Sequence, residues 1–405
     1  MKILIVSNHF YPDFEGGAEK VARRVAEWLS ETHDVVVLTI GDRALEKNGS
    51  EKYDVVRVPY HNIYPYHIGQ STEPALKKLL WHMRNATGGV SIRDLKRVLS
   101  EQKPDIVYMH NAMAFLPQLA NLCRSRQLPV CAHLHDYALL CPKTSMYKHE
   151  KNCVKQCLLC RILTTPARRA MRSTSQFIAV SDFVRTRHIS YGLCKDARWH
   201  VLHNAETDCN YVPLCHRAPI EDGPITIGYI GRLAPTKGLS DLVDAYLALP
   251  AGHAHLVIAG IGNDDYVRPL KRRTEGHAVQ WLGHVDPQVF YEEIDCLVVS
   301  SRWHEPQGLV VVEAINRGIP IIASRRGGNT EMVEGYQSGV LYDPDKPKDL
   351  LNHLTYMCKQ SRAEWRKSIP EIYPGLTKGN MVTIDKSNYF ERLESILLSC
   401  SIHND

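Results

Sequence analysis

The chain lacks any apolar run long enough to cross a membrane, and its opening Met1-Lys2-Ile3-Leu4-Ile5-Val6-Ser7 is too short for a secretory leader. A cytosolic protein is therefore expected. It also lacks a strong charge of one sign, with 49 Lys and Arg against 44 Asp and Glu, a net +5. No basic run is interleaved with aromatics, so nucleic acid is not an expected partner. Ser7-Asn8-His9 follows the first apolar run where a dinucleotide-binding G-x-G-x-x-G would begin, which disfavours a Rossmann oxidoreductase. With no leader, most of the twelve cysteines read as reduced thiols.

What is present is alternation. Apolar strand-like runs alternate with helical patterns along all 405 residues, enough for two ordinary domains, and this argues a doubly wound α/β protein. In the first half the strands are expected near 2–6, 35–39, 55–58, 106–110, 130–134, 177–180 and 200–202. In the second half they are expected near 225–230, 255–259, 279–282, 296–299, 319–323 and 339–342. Ala18, Val21, Ala22, Val25 and Leu29 form one helical stripe after the first strand. The polar stretch 203–222 marks the domain boundary, giving domains at 1–205 and 206–379.

Glu305-Pro306-Gln307-Gly308-Leu309-Val310-Val311-Val312-Glu313 places two carboxylates where a loop enters an apolar helix. If both lay on one helix they would point about 80° apart, toward one crevice. Some seventy residues upstream, the strand ending at Ile230-Gly231 delivers Arg232 and Lys237, with Gly238 beside a helix start. Paired cations at a helix N-terminus suit a diphosphate, and paired carboxylates suit hydroxyls. Together they suggest a sugar nucleotide. Gly16-Gly17, just before the first helix, reads as a phosphate-facing turn, with a plain turn as the alternative. His135-Asp136 closes a strand at the side where open α/β sheets bind ligands.

These pieces, with Gly16-Gly17-Ala18-Glu19 and Gly327-Gly328-Asn329-Thr330-Glu331, resemble in order and context a retaining glycosyltransferase of family 4. The resemblance implies the GT-B fold, two facing Rossmann-like doubly wound domains with an interdomain cleft. It also implies that the C-terminal helix, 380–405, crosses back onto the acceptor-side first domain. His135 would contact the donor sugar, with Asp136 orienting its ring. Arg232 and Lys237 would hold the diphosphate, Glu305 the sugar, Glu313 the ribose, and the backbone of Gln307, Gly308 and Leu309 the hydroxyls and distal phosphate. Gly260, Gly262 and Gly283 would border the base. The resemblance further implies a UDP-hexose donor, with a GDP-sugar as alternative, and a saccharide or lipid-linked saccharide acceptor. Relatives carry an aromatic where Gln307 stands, and Asn-Gly where this chain has Asn204-Ala205. A non-catalytic sugar-nucleotide sensor remains the rival of another class.

Between Lys143 and His200, twelve basic residues face three acids, a local surplus of nine. This is either a solvated face or a surface for a phosphate-bearing acceptor or the anionic inner face of a membrane. Cys141, Cys153, Cys157 and Cys160 match the ligand count of a structural zinc site, and equally a redox-sensitive cluster or four free thiols. Asp343-Pro344-Asp345 reads as a turn and helix cap rather than a metal site. With Arg232 and Lys237 supplying positive charge, no cofactor is expected for the chemistry.

Overall fold

Each of the thirteen apolar runs becomes a parallel strand in a computed structural model of the protein, which describes residues 1–13, 16–41, 52–65, 73–174, 176–206, 211–217, 223–377 and 386–401. The strands are β1 (Lys2–Val6), β2 (Asp34–Ile40), β3 (Asp54–Val58), β4 (Ile106–Met109), β5 (Val130–Leu134), β6 (Tyr147–Lys148), β7 (Lys151–Asn152), β8 (Gln176–Ala179) and β9 (Arg198–Val201). They continue as β10 (Ile225–Ile230), β11 (Ala254–Ala259), β12 (Val279–Gly283), β13 (Cys296–Val299), β14 (Ile321–Ser324) and β15 (Gly339–Tyr342). Helices cover both faces of a parallel sheet, so its strands are apolar throughout rather than alternating. Ile3, Leu4, Ile5 and Val6 are all wholly buried.

The described residues divide into two compact units. The first comprises Met1–Met146, Val154–His203 and Ser387–Asp405, and holds a seven-stranded sheet in the order β3-β2-β1-β4-β5-β8-β9. The second comprises Tyr147–Cys153 and Asn204–Lys386, and holds a six-stranded sheet in the order β12-β11-β10-β13-β14-β15. The helix Gly17–Leu29 buries Val21, Ala22, Val25 and Leu29 of the expected stripe, leaves Ala18 half-buried, and buries Glu19 with them. The last helix, Lys386–Ser401, belongs to the first unit, where Phe390 stacks on Trp28 with centroids 4.7 Å apart. The rest of the segment expected at 380–405 lies outside the described residues.

One element escaped the sequence reading. β6 and β7 form an antiparallel hairpin, and Tyr147–Cys153 belongs to the second unit although the chain on either side belongs to the first. Its turn residues His149 and Glu150 both take positive φ, 49° and 56°, a conformation usually signalled by Asn-Gly. Asn152 anchors the hairpin: its amide donates to Arg302 O at 2.8 Å, and its oxygen accepts from His304 N at 2.8 Å.

Candidate functional site

In the second unit the strand order reverses between β10 and β13, and ligands of open α/β sheets bind beyond the strand ends at such a point. After β10, Lys237 ends a short turn, Pro235–Lys237, and Gly238 caps the helix Leu239–Leu247 with φ 65°. A Cβ on Gly238 would come within 1.9 Å of Ser300 O, so only glycine lets this turn pack on the end of β13. The loop after β13 carries Glu305, which is 6% exposed. Lys237 Nζ forms an ion pair with Glu305 Oε1. Ser301 Oγ and Trp303 Nε1 donate to Glu305 Oε2 at 2.6 and 3.1 Å. Burial would raise the carboxyl pKa, but Lys237, Ser301 and Trp303 outweigh it and hold the group below its usual range. From behind, Gly328 N donates to Glu305 O at 2.7 Å, and Gly308 N donates to Asn329 Oδ1 at 2.8 Å. The glycine-rich piece at 327–329 therefore braces the Glu305 loop.

Several expected roles shift. The helix Leu309–Asn316 begins after Gly308, so Glu305 stands on the loop and the rotation between two helical carboxylates does not apply. Glu313 is on the helix, where Oε2 accepts from the buried Tyr291 hydroxyl at 2.8 Å. The Gln307 side chain turns to the chain crossing. Its Oε1 accepts from Asn204 N at 2.7 Å, and its Nε2 donates to Asn204 O at 3.4 Å. Ala205 does not take a positive φ, so the crossing is not a glycine-type turn, and its buried backbone is satisfied by that side chain instead. Beside it, Arg317 and Glu206 pair at 3.0 Å, both buried.

With the Gly308 amide taken, the open end of this helix begins at Leu309, and no side chain caps it. Arg232 is exposed and has no acidic partner among the described residues. Gly260 N donates to Gly283 O at 2.6 Å, and Gly262 bridges Leu233, which sets all three glycines beside the Arg232 loop. Asp343 Oδ1 accepts from Asp345 N at 3.0 Å, making a turn. The cap of the next helix is Lys346 rather than either aspartate.

In the first unit the reversal falls between β1 and β4. The register Tyr108↔Cys131 and Met109↔Ala132 puts Tyr108, His110, His133 and His135 on one face, by the period of two. His110 Nδ1 lies 2.8 Å from His135 Nε2, and His133 Nδ1 lies 2.7 Å from the Tyr108 hydroxyl. Burial pushes His135 down to about 3 and holds His110 and His133 well below the usual imidazole range, so all three are neutral. Among the described residues they are the one set of three or more His, Cys, Asp or Glu whose ligand atoms all lie within 4.8 Å of one another.

Sequence reasoning missed His110 and His133. The signal was there, as Tyr-x-His and His-x-His at the ends of neighbouring strands. Asp136, expected to orient His135, accepts instead from Ala138 N at 2.7 Å, and burial raises its pKa to about 7. At Gly16-Gly17 the helix end meets a carboxylate of the chain itself. Burial raises the Glu19 pKa, while the backbone of Glu19 and Gly16 and the Asn111 side chain pull it back. A phosphate there would compete with that carboxylate.

The four cysteines do not close into one ligand set. Cys141, Cys157 and Cys160 lie in the first unit and Cys153 in the second. Cys141 Sγ and Cys160 Sγ are 3.9 Å apart, and Cys160 N donates to Cys157 Sγ at 3.4 Å. That sulfur separation fits two thiolates on one tetrahedral zinc with bonds of about 2.3 Å, but although Cys157 also meets Cys160, the three sulfurs do not all lie within 4.8 Å of one another. The Cys160 hydrogen bond draws Cys141 down to about 6.

Comparison with known proteins covers both units. A family model described as "Glycosyltransferase Family 4" matches residues 15–205, and one described as "Glycosyl transferases group 1" matches residues 216–371. An uncharacterized 42.6 kDa protein of the cps region of Klebsiella pneumoniae is 25% identical over 82% of this chain and 87% of its own length. Glycogen synthase of Mycobacterium tuberculosis is 27% identical over 85% of this chain and 83% of its own. Among solved structures, Anabaena HepE in complex with UDP is similar with TM-score 0.71 at 21% identity, over 98% of this chain and 100% of that one. Sucrose-phosphate synthase of Thermosynechococcus elongatus is similar with TM-score 0.72 at 16% identity, over 98% of each chain. At such identities these similarities show the fold, a two-domain GT-B architecture.

Proposed function

We propose that this chain, which belongs to the family 4, group 1 glycosyltransferases, moves a hexose from a nucleotide-diphosphate sugar, with UDP as the base-bearing group, onto a saccharide or lipid-linked saccharide. One observation carries the reading: a buried carboxylate, Glu305, held by Lys237, Ser301 and Trp303 beside the uncapped start of the helix Leu309–Asn316. Leu309 and the next amides face a phosphate with the positive end of the helix. Lys237 and Arg232 meet the diphosphate, whose charge grows as the sugar–phosphate bond breaks, so fixed cations stabilise the transition state more than the ground state. Glu305, kept ionised, accepts from sugar hydroxyls, and Glu313 accepts from ribose hydroxyls. The Tyr291 hydroxyl occupies one Glu313 oxygen and fixes the other's direction.

In this reading His135 meets the donor sugar as a neutral imidazole. Configuration is retained by front-face displacement, with the leaving phosphate taking the acceptor proton. Because the cations come from the chain, no divalent metal is required. The protein works in the cytoplasm, at the inner face of a membrane. The test is a thermal-shift panel of UDP-, GDP- and ADP-sugars, since a ligand of the folded state raises apparent stability. Stabilisation by UDP-sugars alone fits the proposal. Stabilisation by GDP-sugars alone replaces the donor with a mannosyl-type one, and no response to any removes the reading. NMR of the product anomer then tests retention.

A further inference from the structure

We propose that the helices Ala75–Ala86 and Leu158–Ala170 of the first unit form one docking surface for an anionic lipid bilayer. The membrane-facing part of the proposed function rests on the same idea, and the surface itself follows from exposure and charge. Ala75–Ala86 buries only Trp81 and Asn85 among its twelve residues. Trp81 Nε1 donates to Tyr64 O at 3.0 Å, fixing that side of the helix inward. Leu76, Leu80 and Met83, spaced i, i+4, i+7, therefore point out together, with 69%, 45% and 52% of their surface exposed. The helix Leu158–Ala170 packs against it and leaves Leu158, Leu159 and Ile162 more than half exposed in its first two turns. Six of the fifteen exposed large apolar side chains among the described residues thus stand on two neighbouring helices. Apolar exposure this concentrated marks an interaction site rather than scattered surface residues.

Charge selects the occupant. Residues 74–86 and 154–172 contain eight Lys and Arg and not one Asp or Glu. Within these segments Arg84, Lys155, Arg161, Arg169 and Arg172 are exposed. A protein partner or a second copy of this chain would have to bring the compensating acids, and between two copies these cations would repel. An anionic bilayer supplies both requirements, headgroup charge for the cations and acyl chains for the leucines. No helix among the described residues is long and apolar enough to cross a membrane, so the contact lies flat on the surface.

Sedimentation of the purified full chain with vesicles tests this. Phosphatidylcholine vesicles containing phosphatidylglycerol should carry the protein down, less so as salt rises, and vesicles of phosphatidylcholine alone should not. Leu80→Glu/Met83→Glu, Leu158→Glu/Ile162→Glu and Lys155→Glu/Arg161→Glu should each weaken binding by about tenfold or more. Nucleotide-induced thermal stabilisation should be unchanged, which shows that each variant is folded. The proposal is overturned by absent binding to the anionic vesicles, by equal binding to neutral ones, or by variants that bind as the parent does. Patch-dependent self-association without vesicle binding would replace the bilayer with a second copy. A protein that docks on vesicles but responds to no nucleotide would remove the transferase reading and leave the docking surface intact.

Discussion

His110 Nδ1 and His135 Nε2 share one hydrogen bond of 2.8 Å between rings inclined by only 16°. Two neutral imidazoles in such a bond cannot both donate, so the tautomer of one dictates the tautomer of the other. The ring nitrogen of His135 left for a ligand is Nδ1. His110 is thus placed to orient the residue proposed to meet the sugar, the part expected of Asp136.

His110→Leu is expected to lower kcat by about 10²-fold, the scale of a slight misplacement of a reacting group, with little change in donor KM. His110→Asn, whose amide can stand near the place of Nδ1, should recover most of that loss. Nitrogen-15 NMR should show a defined His135 tautomer in the parent and a mixed one in His110→Leu. Normal turnover in His110→Leu with an unaltered His135 signal would refute the positioning role.

Arg232→Ala and Lys237→Ala should each reduce the chemical step by about 10²–10³, as when one preorganised transition-state donor is removed. Their stabilities should differ. Arg232 is exposed, so its loss should leave Tm nearly unchanged, whereas Lys237→Ala leaves buried Glu305 without its cation and should lower Tm. Near-normal single-turnover rates in either variant would remove that residue from the diphosphate role.

Asp136 makes stability depend on pH. Its carboxyl is raised to about 7 by burial, against about 3.9 in an unfolded chain. Raised in the folded state, it costs nothing below about pH 4, and stability is lost as pH climbs through about 7. Urea unfolding from pH 4.5 to 7.5 should show the parent losing a few kcal/mol relative to Asp136→Asn, on the order set by the pKa gap. Parallel curves for the two proteins would show that Asp136 is ionised without cost.

Turnover should persist in EDTA without added Mg²⁺, since Arg232 and Lys237 supply the charge. Restoration by Mg²⁺ or Mn²⁺ after a complete loss would overturn that. For the cysteines, the Cys141–Cys160 pair does not by itself fill a four-ligand zinc shell, so elemental analysis of untagged protein should find well under one equivalent of zinc, with Cys141 and Cys160 titratable. About one equivalent of zinc, lost on Cys160→Ser, would overturn that.

The strands were legible because parallel strands buried on both faces are written as unbroken apolar runs, and these stand out even in a single sequence. The placement of Lys237 and Glu305 on loops after strands was legible for a related reason: glycines and strand ends bracket them, and backbone constraint announces itself in residue type. The hairpin Tyr147–Cys153 was not, because its strands are two residues each, largely polar, and turn without glycine. The Gln307 side-chain contact was not legible because its partner, Asn204, is about a hundred residues away and is met through backbone atoms, which carry no sequence signature. His110 failed likewise, since only the β4–β5 register brings it to His135.

The stacking of Phe390 on Trp28 has a consequence for the order of assembly. A chain emerging from the ribosome makes Trp28 early and Phe390 some 360 residues later, so the part of the first unit that the last helix covers stays open while the whole second unit is synthesised. Domains that form in sequence during translation bury their cores as they appear, and this one cannot. The first unit is born incomplete and is sealed last.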